Sequence, residues 1–229
     1  MNDTRRAVLL DLDGTLSDPF VGITRSIQYA LEKMGADVPE PEALRWCIGP
    51  PLWDSFKVLL KTDDHAVAGR AVAFYRERYT TVGLFENQVY PGVPDMLGKL
   101  KRAGLFLSLA TSKPISYAGR IIEHFGLADY FDALHGSQLD GRNSDKATLI
   151  AYILDTENLA ADRSVMVGDR KHDIIGARAN DVDVFAVSYG YGDEAEFTAH
   201  APDAICKSPA DVAESVLDWS GMAFSATSG

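Results

Sequence analysis

Two aspartates separated by one residue follow an apolar segment near the start of this 229-residue chain. Asp11 and Asp13 come directly after residues 7–10, and Gly14 follows them. Side chains two residues apart in a strand point to the same side, so both carboxylates would lie together at the end of a buried strand. Close carboxylates in a buried pocket stay ionised only when a cation or another partner neutralises them. The pair therefore predicts a metal site at which a reaction takes place.

Three further groups of polar side chains lie at predicted strand ends or in the loops near them. These are Thr111, Ser112 and Lys113, then Lys146, and finally Asp169 and Asp173. Taken singly, each has a structural explanation, because aspartate and threonine commonly cap helices. Together they would bring carboxylates, a hydroxyl and lysines to one edge of a sheet. Since Mg²⁺ prefers oxygen ligands and shares phosphate oxygens, the set predicts a magnesium and phosphate site.

Strand-like and helix-like segments alternate along most of the chain. Apolar segments at residues 105–110, 164–167 and 184–187 are separated by segments with helical spacing, such as 93–102. Such alternation predicts right-handed βαβ units and a parallel sheet covered on both faces, an α/β fold. Ligands bind at the carboxyl ends of the strands in such sheets. The polar groups are therefore expected to meet at that edge.

The segment after the first strand has a different character. Residues 20–34 and 53–79 carry apolar positions at helical spacing. We expect residues 1–15 and 88–229 to form a discontinuous core domain, with residues 16–87 as a smaller helical domain inserted after the first strand.

The composition limits the partners and the compartment. There are 22 basic and 33 acidic residues, a formal net charge of −11, which argues against nucleic acid polymers and anionic membranes as partners. Cys47 and Cys206 are too few for a disulfide framework, and the short apolar segment before Asp11 cannot serve as a signal peptide or membrane span. We therefore expect a cytoplasmic protein. Residues 220–229 are small and polar, and we expect them to form a loosely held tail.

The order and spacing of the polar groups resemble the four motifs of the haloacid dehalogenase superfamily. The matching segments are Asp11-Leu12-Asp13-Gly14-Thr15-Leu16, Thr111, Lys146 and Gly168-Asp169-Arg170-Lys171-His172-Asp173. The match extends over nearly the whole chain, and the helical insert resembles the α-helical cap subclass. The resemblance implies a Rossmann-like core with residues 16–87 as its cap.

The resemblance implies a role for each matching aspartate. Asp11 would attack phosphorus to give an aspartyl-phosphate. Asp13 would protonate the leaving oxygen and later deprotonate the attacking water. Asp11, Asp169 and the main-chain carbonyl of Asp13 would bind Mg²⁺, with Asp173 supporting them from behind.

Other residues are expected to bind the phosphate or the rest of the substrate. By the same resemblance, Thr111 would hold a phosphoryl oxygen and Lys146 would offset negative charge. Backbone N–H groups that follow Asp11 and Thr111 would take phosphoryl oxygens as well. The residues assigned to phosphate or substrate binding are Gly14, Thr15, Ser112, Lys113 and Arg45. For Arg45 and Lys113, a solvated surface charge is the alternative interpretation.

Asp13 separates branches of the superfamily. Dehalogenase and phosphonatase members lack an aspartate at this position, so Asp13 favours phosphate ester chemistry. The segments Ile48-Gly49-Pro50-Pro51-Leu52 and Ser137-Gln138-Leu139-Asp140-Gly141 resemble a bacterial branch of 5′-nucleotidases and phosphoglycolate phosphatase-like proteins.

The predicted function is Mg²⁺-dependent hydrolysis of a small phosphomonoester, a nucleoside 5′-monophosphate or phosphoglycolate, by a monomer or weak homodimer. One alternative is a phosphosugar mutase or sugar-phosphate phosphatase of the same superfamily. Another, from a different class, is a non-catalytic regulatory protein that binds phosphate esters.

Overall fold

The computed structural model describes residues 5–221. Within them the strands are β1 (Ala7–Leu10), β2 (Ser17–Asp18), β3 (Gln88–Val89), β4 (Phe106–Pro114), β5 (Ala133–Ser137), β6 (Ser164–Gly168), β7 (Asp183–Val187) and β8 (Ala204–Cys206). The α-helices are α1 (Phe20–Met34), α2 (Leu52–Leu59), α3 (His65–Arg78), α4 (Val93–Arg102), α5 (Ile115–His124), α6 (Lys146–Thr156), α7 (Lys171–Arg178), α8 (Glu194–His200) and α9 (Pro209–Ser220). Short 3₁₀ turns lie at Pro41–Cys47, Ala128–Tyr130 and Ala161–Arg163, and a π-helical turn lies at Tyr79–Gly83.

The chain divides into two compact units. One unit is Ser17–Gln88, and the other contains the residues up to Leu16 and those from Val89 onward. That the first of these acts as a cap stays a prediction.

The larger unit is built on a six-stranded sheet in the order β5-β4-β1-β6-β7-β8. Every neighbouring pair of strands is parallel, so the predicted α/β class is confirmed. The chain builds β4 and β5 on one side of β1 and then returns to place β6 on its other side. Such a reversal opens a crevice at the carboxyl ends of the two strands where it occurs. Here those strands are β1 and β6.

β1 lies in the middle of this sheet. All four of its residues are 0% exposed, because helices cover both faces of the sheet. On one face Leu9 and Met166 pack with Leu149 and Ile153 of α6. Each fully buried aliphatic side chain of this size contributes about 1.5–3 kcal/mol to stability. The aspartates that follow β1 are therefore attached to a rigid support.

The smaller unit is mainly helical. α1 ends at Gly35, whose φ of +65° is the left-handed conformation typical of helix C-termini. A Cβ on Gly22 would lie 2.0 Å from the Gly83 carbonyl oxygen, so a glycine is needed where α1 meets the π-helical turn. The Glu86 carboxylate receives hydrogen bonds from Arg78 and Arg25 and ties the end of the unit to α1 and α3.

The last three elements, α8, β8 and α9, were not predicted from the sequence. Ser208 caps α9 by accepting the Asp211 N–H at 3.1 Å, and Pro209 occupies the first turn, which is a readable helix start. The tail predicted for residues 220–229 is wrong at its first residue, because Ser220 is buried at the end of α9. Residues 222–229 lie outside the described part of the chain. None of the helices in residues 5–221 has the length and apolar character that a membrane crossing requires.

Candidate active site

Asp11 and Asp13 lie in the turn that follows β1. The Asp11 N–H donates to the Val167 carbonyl at 3.0 Å, which continues the pairing with β6 one residue beyond the strand. The Leu16 N–H then donates to the Leu12 carbonyl at 2.8 Å and closes a tight turn. The two aspartates are thereby fixed at the carboxyl end of the central strand.

Gly14 brings this turn against Asp169. Its φ is +82°, a conformation that other residues adopt only with strain. A Cβ here would lie 2.0 Å from Asp169 Oδ2, so no side chain fits between the turn and that carboxylate. The next residue, Thr15, is fully buried. Its hydroxyl has no hydrogen-bond partner among residues 5–221.

The end of β4 is bulged. Thr111 pairs with Gly136 of β5, and the next paired residue on β4 is Pro114, so residues 112 and 113 form an irregularity between them. A Cβ on Gly136 would lie 2.6 Å from the Lys113 carbonyl oxygen, so glycine makes room for the bulge. The bulge places Lys113 Nζ 2.8 Å from Asp13 Oδ2, with only 6% of the Lys113 side chain exposed.

The hydroxyl of Thr111 is also held in this bulge. Thr111 is 2% exposed, and its Oγ1 accepts the Lys113 N–H at 3.2 Å. Its hydroxyl hydrogen can therefore donate to a phosphoryl oxygen. Ser112, which lies between them, is partly exposed at the same strand end.

Lys146 is the first residue of α6 and is buried. Its Nζ lies 2.7 Å from Asp173 Oδ1 and 3.1 Å from Asp11 Oδ1, and it donates to the Ala110 carbonyl at 2.8 Å. A Cβ on Gly176 of α7 would lie 2.8 Å from Lys146 Cγ, so glycine lets the lysine pass α7. One ammonium thus links the turn after β1, the middle of β4 and the first turn of α7.

Asp169 and Asp173 follow β6. Asp173 accepts the Arg170 N–H at 3.1 Å and caps α7, and a Cβ on Gly168 would lie 2.2 Å from Asp173 Cγ. Asp169 Oδ2 accepts the Tyr191 N–H at 2.7 Å. The other oxygen, Asp169 Oδ1, is buried and has no hydrogen-bond donor within the described chain.

Asp11, Asp169 and Asp173 form a buried cluster of carboxylates that is the candidate location for a metal ion. One carboxylate oxygen from each lies within 4.8 Å of the other two. With Asp13 added, four carboxylates face the two ammonium groups of Lys113 and Lys146, so the ionised set has a formal charge of −2. A divalent cation neutralises that charge, and an all-oxygen donor set suits Mg²⁺. The residues present therefore fit Mg²⁺.

Burial perturbs the titration of these groups. It raises the pKa of Asp169 well above its ordinary value, and the carboxylates of Asp173 and Asp11 raise it further. Burial also raises the pKa of Asp11, although the Lys146 ammonium opposes this. For Lys146, burial by itself lowers the pKa, but the charges of Asp11 and Asp173 outweigh it and the net pKa is raised. Lys146 is therefore a permanent cation within the cluster.

Asp13 has a different environment from Asp11. Its Oδ2 faces Lys113, and its Oδ1 is buried without a hydrogen-bond donor within residues 5–221. Burial raises the pKa of the Asp13 carboxyl, and the Lys113 ammonium only partly offsets this. A carboxyl whose pKa is raised holds a proton more readily than an ordinary one, which suits it to donating and accepting a proton.

All but one of the predicted site residues lie in the larger unit. The ones that lie in the larger unit at this sheet edge are Asp11, Asp13, Gly14, Thr15, Thr111, Ser112, Lys113, Lys146, Asp169 and Asp173. Arg45 lies in the helical unit, exposed, with its guanidinium carbon 5.9 Å from the centre of the Phe20 ring. The roles assigned to all these residues stay predictions. Cys47 and Cys206 are free and buried, and burial raises the pKa of the Cys47 thiol to about 12.

The loop after β7 was not predicted from the sequence to belong to the site. Residues 188–192 read Ser-Tyr-Gly-Tyr-Gly, and this loop supplies the Tyr191 N–H that binds Asp169. Alternating glycines directly after a predicted strand were the available signal, because glycine often marks a close backbone approach.

Comparison with known proteins places this site in a family. Residues 8–187 match the family described as haloacid dehalogenase-like hydrolase. A 5′-nucleotidase of Pseudomonas aeruginosa is 46% identical over 199 residues, which cover 87% of this chain and 90% of that protein. A phosphoglycolate phosphatase of Aliivibrio fischeri is 28% identical and covers 87% of this chain and 91% of that protein.

A third relative has a different name. The tyrosine-protein kinase PtkA of Mycobacterium tuberculosis is 36% identical over 190 residues, 83% of this chain and 64% of that longer protein. Among solved structures, a predicted phosphatase from Clostridium acetobutylicum superimposes with a TM-score of 0.89 and 39% identity, covering 94% of this chain and 100% of that one. The predicted resemblance is thus confirmed. The chain belongs to the haloacid dehalogenase-like hydrolase family.

Proposed function

We propose that this chain is a Mg²⁺-dependent phosphomonoester hydrolase that acts through an aspartyl-phosphate on Asp11. The observation that carries the proposal is the different pairing of the two aspartates after β1. Asp11 faces Lys146 within the three-carboxylate cluster, whereas Asp13 faces Lys113 outside it. Two carboxyl groups with different neighbours can perform two different steps of one reaction.

In the first step, a carboxylate oxygen of Asp11 would form a bond to phosphorus while the bond from phosphorus to the ester oxygen breaks. The Asp13 carboxyl would give its proton to that oxygen, so the product leaves as a neutral alcohol. In the second step, Asp13 would take a proton from a water molecule whose oxygen forms a bond to the same phosphorus while the bond from phosphorus to the Asp11 oxygen breaks. Inorganic phosphate then leaves, and both aspartates return to their starting state.

The surrounding residues would manage the negative charge. Asp11, Asp169 and the main-chain carbonyl of Asp13 would hold Mg²⁺, which when bound offsets charge on the transferring phosphoryl group. Asp173 would keep Lys146 in place, and Lys146 would reduce the repulsion between the Asp11 carboxylate and the phosphate. The Thr111 hydroxyl would donate to a phosphoryl oxygen.

Nucleoside 5′-monophosphates are the first substrate candidates, because the relative at 46% identity is named a 5′-nucleotidase. Phosphoglycolate is the second candidate, supported by a relative at 28% identity. The buried free thiols favour a reducing compartment, and we propose that the protein acts on small phosphate esters in the cytoplasm.

The test is phosphate release from a panel of nucleoside monophosphates, phosphoglycolate and sugar phosphates, compared by kcat/KM. Enzyme stripped with EDTA should be inactive and should recover when Mg²⁺ is added. Asp11→Asn should lower kcat by on the order of 10⁴-fold or more, as expected for loss of a nucleophile. Asp162→Asn, at an exposed aspartate in a 3₁₀ turn, is the matched control and should leave kcat unchanged.

Wild-type turnover by Asp11→Asn would show that Asp11 is not the nucleophile. A preference of about 10²-fold or more for one ester would identify the substrate class, because it requires several contacts beyond the phosphate. Isomerisation of a sugar phosphate without phosphate release would indicate a mutase instead.

A further inference from the structure

The loop at residues 188–192, here called the Tyr-Gly loop, contacts the candidate site but has no part in the proposed reaction. We infer that this loop is a positioning element that orients Asp169 as a Mg²⁺ ligand and fixes the turn after β1 against it. The inference rests on the proposed function, because it assumes that Asp169 binds Mg²⁺.

The first argument is that only one of the two Asp169 carboxylate oxygens accepts a hydrogen bond. Oδ2 accepts the Tyr191 N–H at 2.7 Å, whereas Oδ1 is buried and has no hydrogen-bond donor among the described residues. A backbone amide held by a loop cannot rotate as a side chain can, so it fixes the plane of the carboxylate. Partners of this kind orient metal ligands and raise metal affinity. Asp169 also offers one carboxylate oxygen to the cluster formed with Asp11 and Asp173, and we assign this role to Oδ1 because Oδ2 is already bonded to the Tyr191 N–H.

The second argument is how closely the loop backbone approaches the site. A Cβ on Gly190 would lie 2.3 Å from the Gly14 carbonyl oxygen and 2.5 Å from Asp169 Cβ. A Cβ on Gly192 would lie 1.9 Å from the Asp169 carbonyl oxygen. Positive φ is seen at Gly14 but at neither loop glycine. What requires glycine at these two positions is therefore the lack of room for a side chain.

The third argument is that the same loop also contacts the turn after β1. The Tyr189 hydroxyl donates to the Thr15 carbonyl at 3.1 Å. The Tyr189 ring packs edge-to-face against Tyr90 at a centroid distance of 5.1 Å. Burial raises the pKa of Tyr189, so its hydroxyl keeps its proton and remains a donor at neutral pH. The loop thus holds both the turn after β1 and Asp169, the two parts that must meet around one ion.

The experiment measures Mg²⁺ binding without substrate, by titration calorimetry on EDTA-treated protein. Gly190→Ala should raise the Mg²⁺ Kd by about 10–100-fold, the range found when a partner of a metal ligand is displaced. Tyr189→Phe removes a single hydrogen bond and should raise Kd by about 3–10-fold. For Tyr189→Phe, turnover at limiting Mg²⁺ should fall and should recover at saturating Mg²⁺, which a loss of folding would not permit.

Matched controls are available. Gly119→Ala on α5 introduces a Cβ that meets no atom outside the neighbouring backbone of its own helix within 4 Å. Tyr152→Phe removes a hydroxyl from a residue that is 46% exposed. Both should keep the wild-type Kd. Circular dichroism and urea unfolding in EDTA establish that each variant is folded.

A folded Tyr189→Phe variant with the wild-type Kd overturns the inference, even where Gly190→Ala fails to fold. Mg²⁺ binding by Asp169→Asn distinguishes a wrong inference about the loop from a wrong proposed function. Wild-type protein that binds Mg²⁺ no better than Asp169→Asn overturns both proposals. Loss of binding in Asp169→Asn, together with normal binding in both loop variants, overturns only the inference about the loop.

Discussion

Replacing Lys146 with methionine tests the electrostatics of the site most directly. The Lys146 ammonium donates a hydrogen bond to the Ala110 carbonyl and forms ion pairs with Asp11 Oδ1 and Asp173 Oδ1. Only 4% of its side chain is exposed. Lys146→Met keeps a side chain of similar length and removes the charge. Two buried carboxylates are then left facing each other without a cation.

The size of the effect follows from this burial. Removing one partner of a buried ion pair costs about 3–5 kcal/mol, because the remaining charge is neither hydrated nor paired. We expect Lys146→Met to lose this much unfolding free energy at pH 8 in EDTA. Without the ammonium that opposes it, burial raises the pKa of Asp11 further, so the folded variant binds an extra proton as the pH falls. Its deficit relative to wild type should therefore shrink between pH 8 and pH 5.5.

The assay is urea unfolding followed by circular dichroism. Lys171→Met is the control, because that side chain is 42% exposed, and its stability should change by no more than about 0.5 kcal/mol. Adding Asp173→Asn to Lys146→Met removes one unpaired charge and should recover about 1–3 kcal/mol. A loss below about 1 kcal/mol, or a deficit that grows as the pH falls, would refute the reasoning. In the catalytic assay kcat should fall about 10²–10³-fold.

Three further variants address other parts of the chain. Lys113→Met should lower kcat about 10²-fold at unchanged KM if its ammonium serves Asp13, whereas a raised KM at unchanged kcat would indicate contact with the substrate phosphate instead. Gly136→Ala should cost about 1–3 kcal/mol in urea unfolding, because its Cβ would displace the β4 bulge, and a neutral result would contradict the close approach. Glu86→Gln should lose about 1–2 kcal/mol at pH 7. The hydrogen bond from Arg78 lowers the pKa of Glu86, so its contribution is complete above the ordinary pKa of 4.5 and is lost as the pH falls through the folded value. Thermal unfolding at pH 7 and pH 3 should therefore show a smaller difference from wild type at the lower pH.

The charged residues of the site were predictable because each follows a local pattern. An apolar strand that ends in aspartate is visible without knowledge of the fold, and the parallel sheet brings such strand ends to one edge. α1 was predicted with the bounds that the structure shows, Phe20–Met34. The predicted helical stretch 53–79 is interrupted between Leu59 and His65. The signal there was Asp64, whose side chain accepts the Ala66 N–H at 2.8 Å as a helix cap.

Contacts set by tertiary structure were not predictable in the same way. The pairing of Lys113 with Asp13 depends on the bulge in β4, and the bulge depends on a glycine in a different strand, Gly136. The Tyr191 N–H that binds Asp169 belongs to a loop whose sequence contains no charged residue. In both cases the contact depends on how the backbone folds, and the residue types, including the two loop glycines, do not identify the partner.

Glycine explains how so much charge can be buried at one place. At Gly14, Gly168, Gly176 and Gly190, an added Cβ would lie within 2.9 Å of a site residue or of the turn that carries one. Because these four positions have no side chain, the backbone and the carboxylates approach closely and leave little room for water. A drier site strengthens the attraction between Lys146 and its carboxylates, but it also raises the cost of leaving any of them unpaired. The glycines therefore make the site dependent on complete charge pairing, so a cation at the donor-free Asp169 oxygen should stabilise the fold as well as serve the reaction.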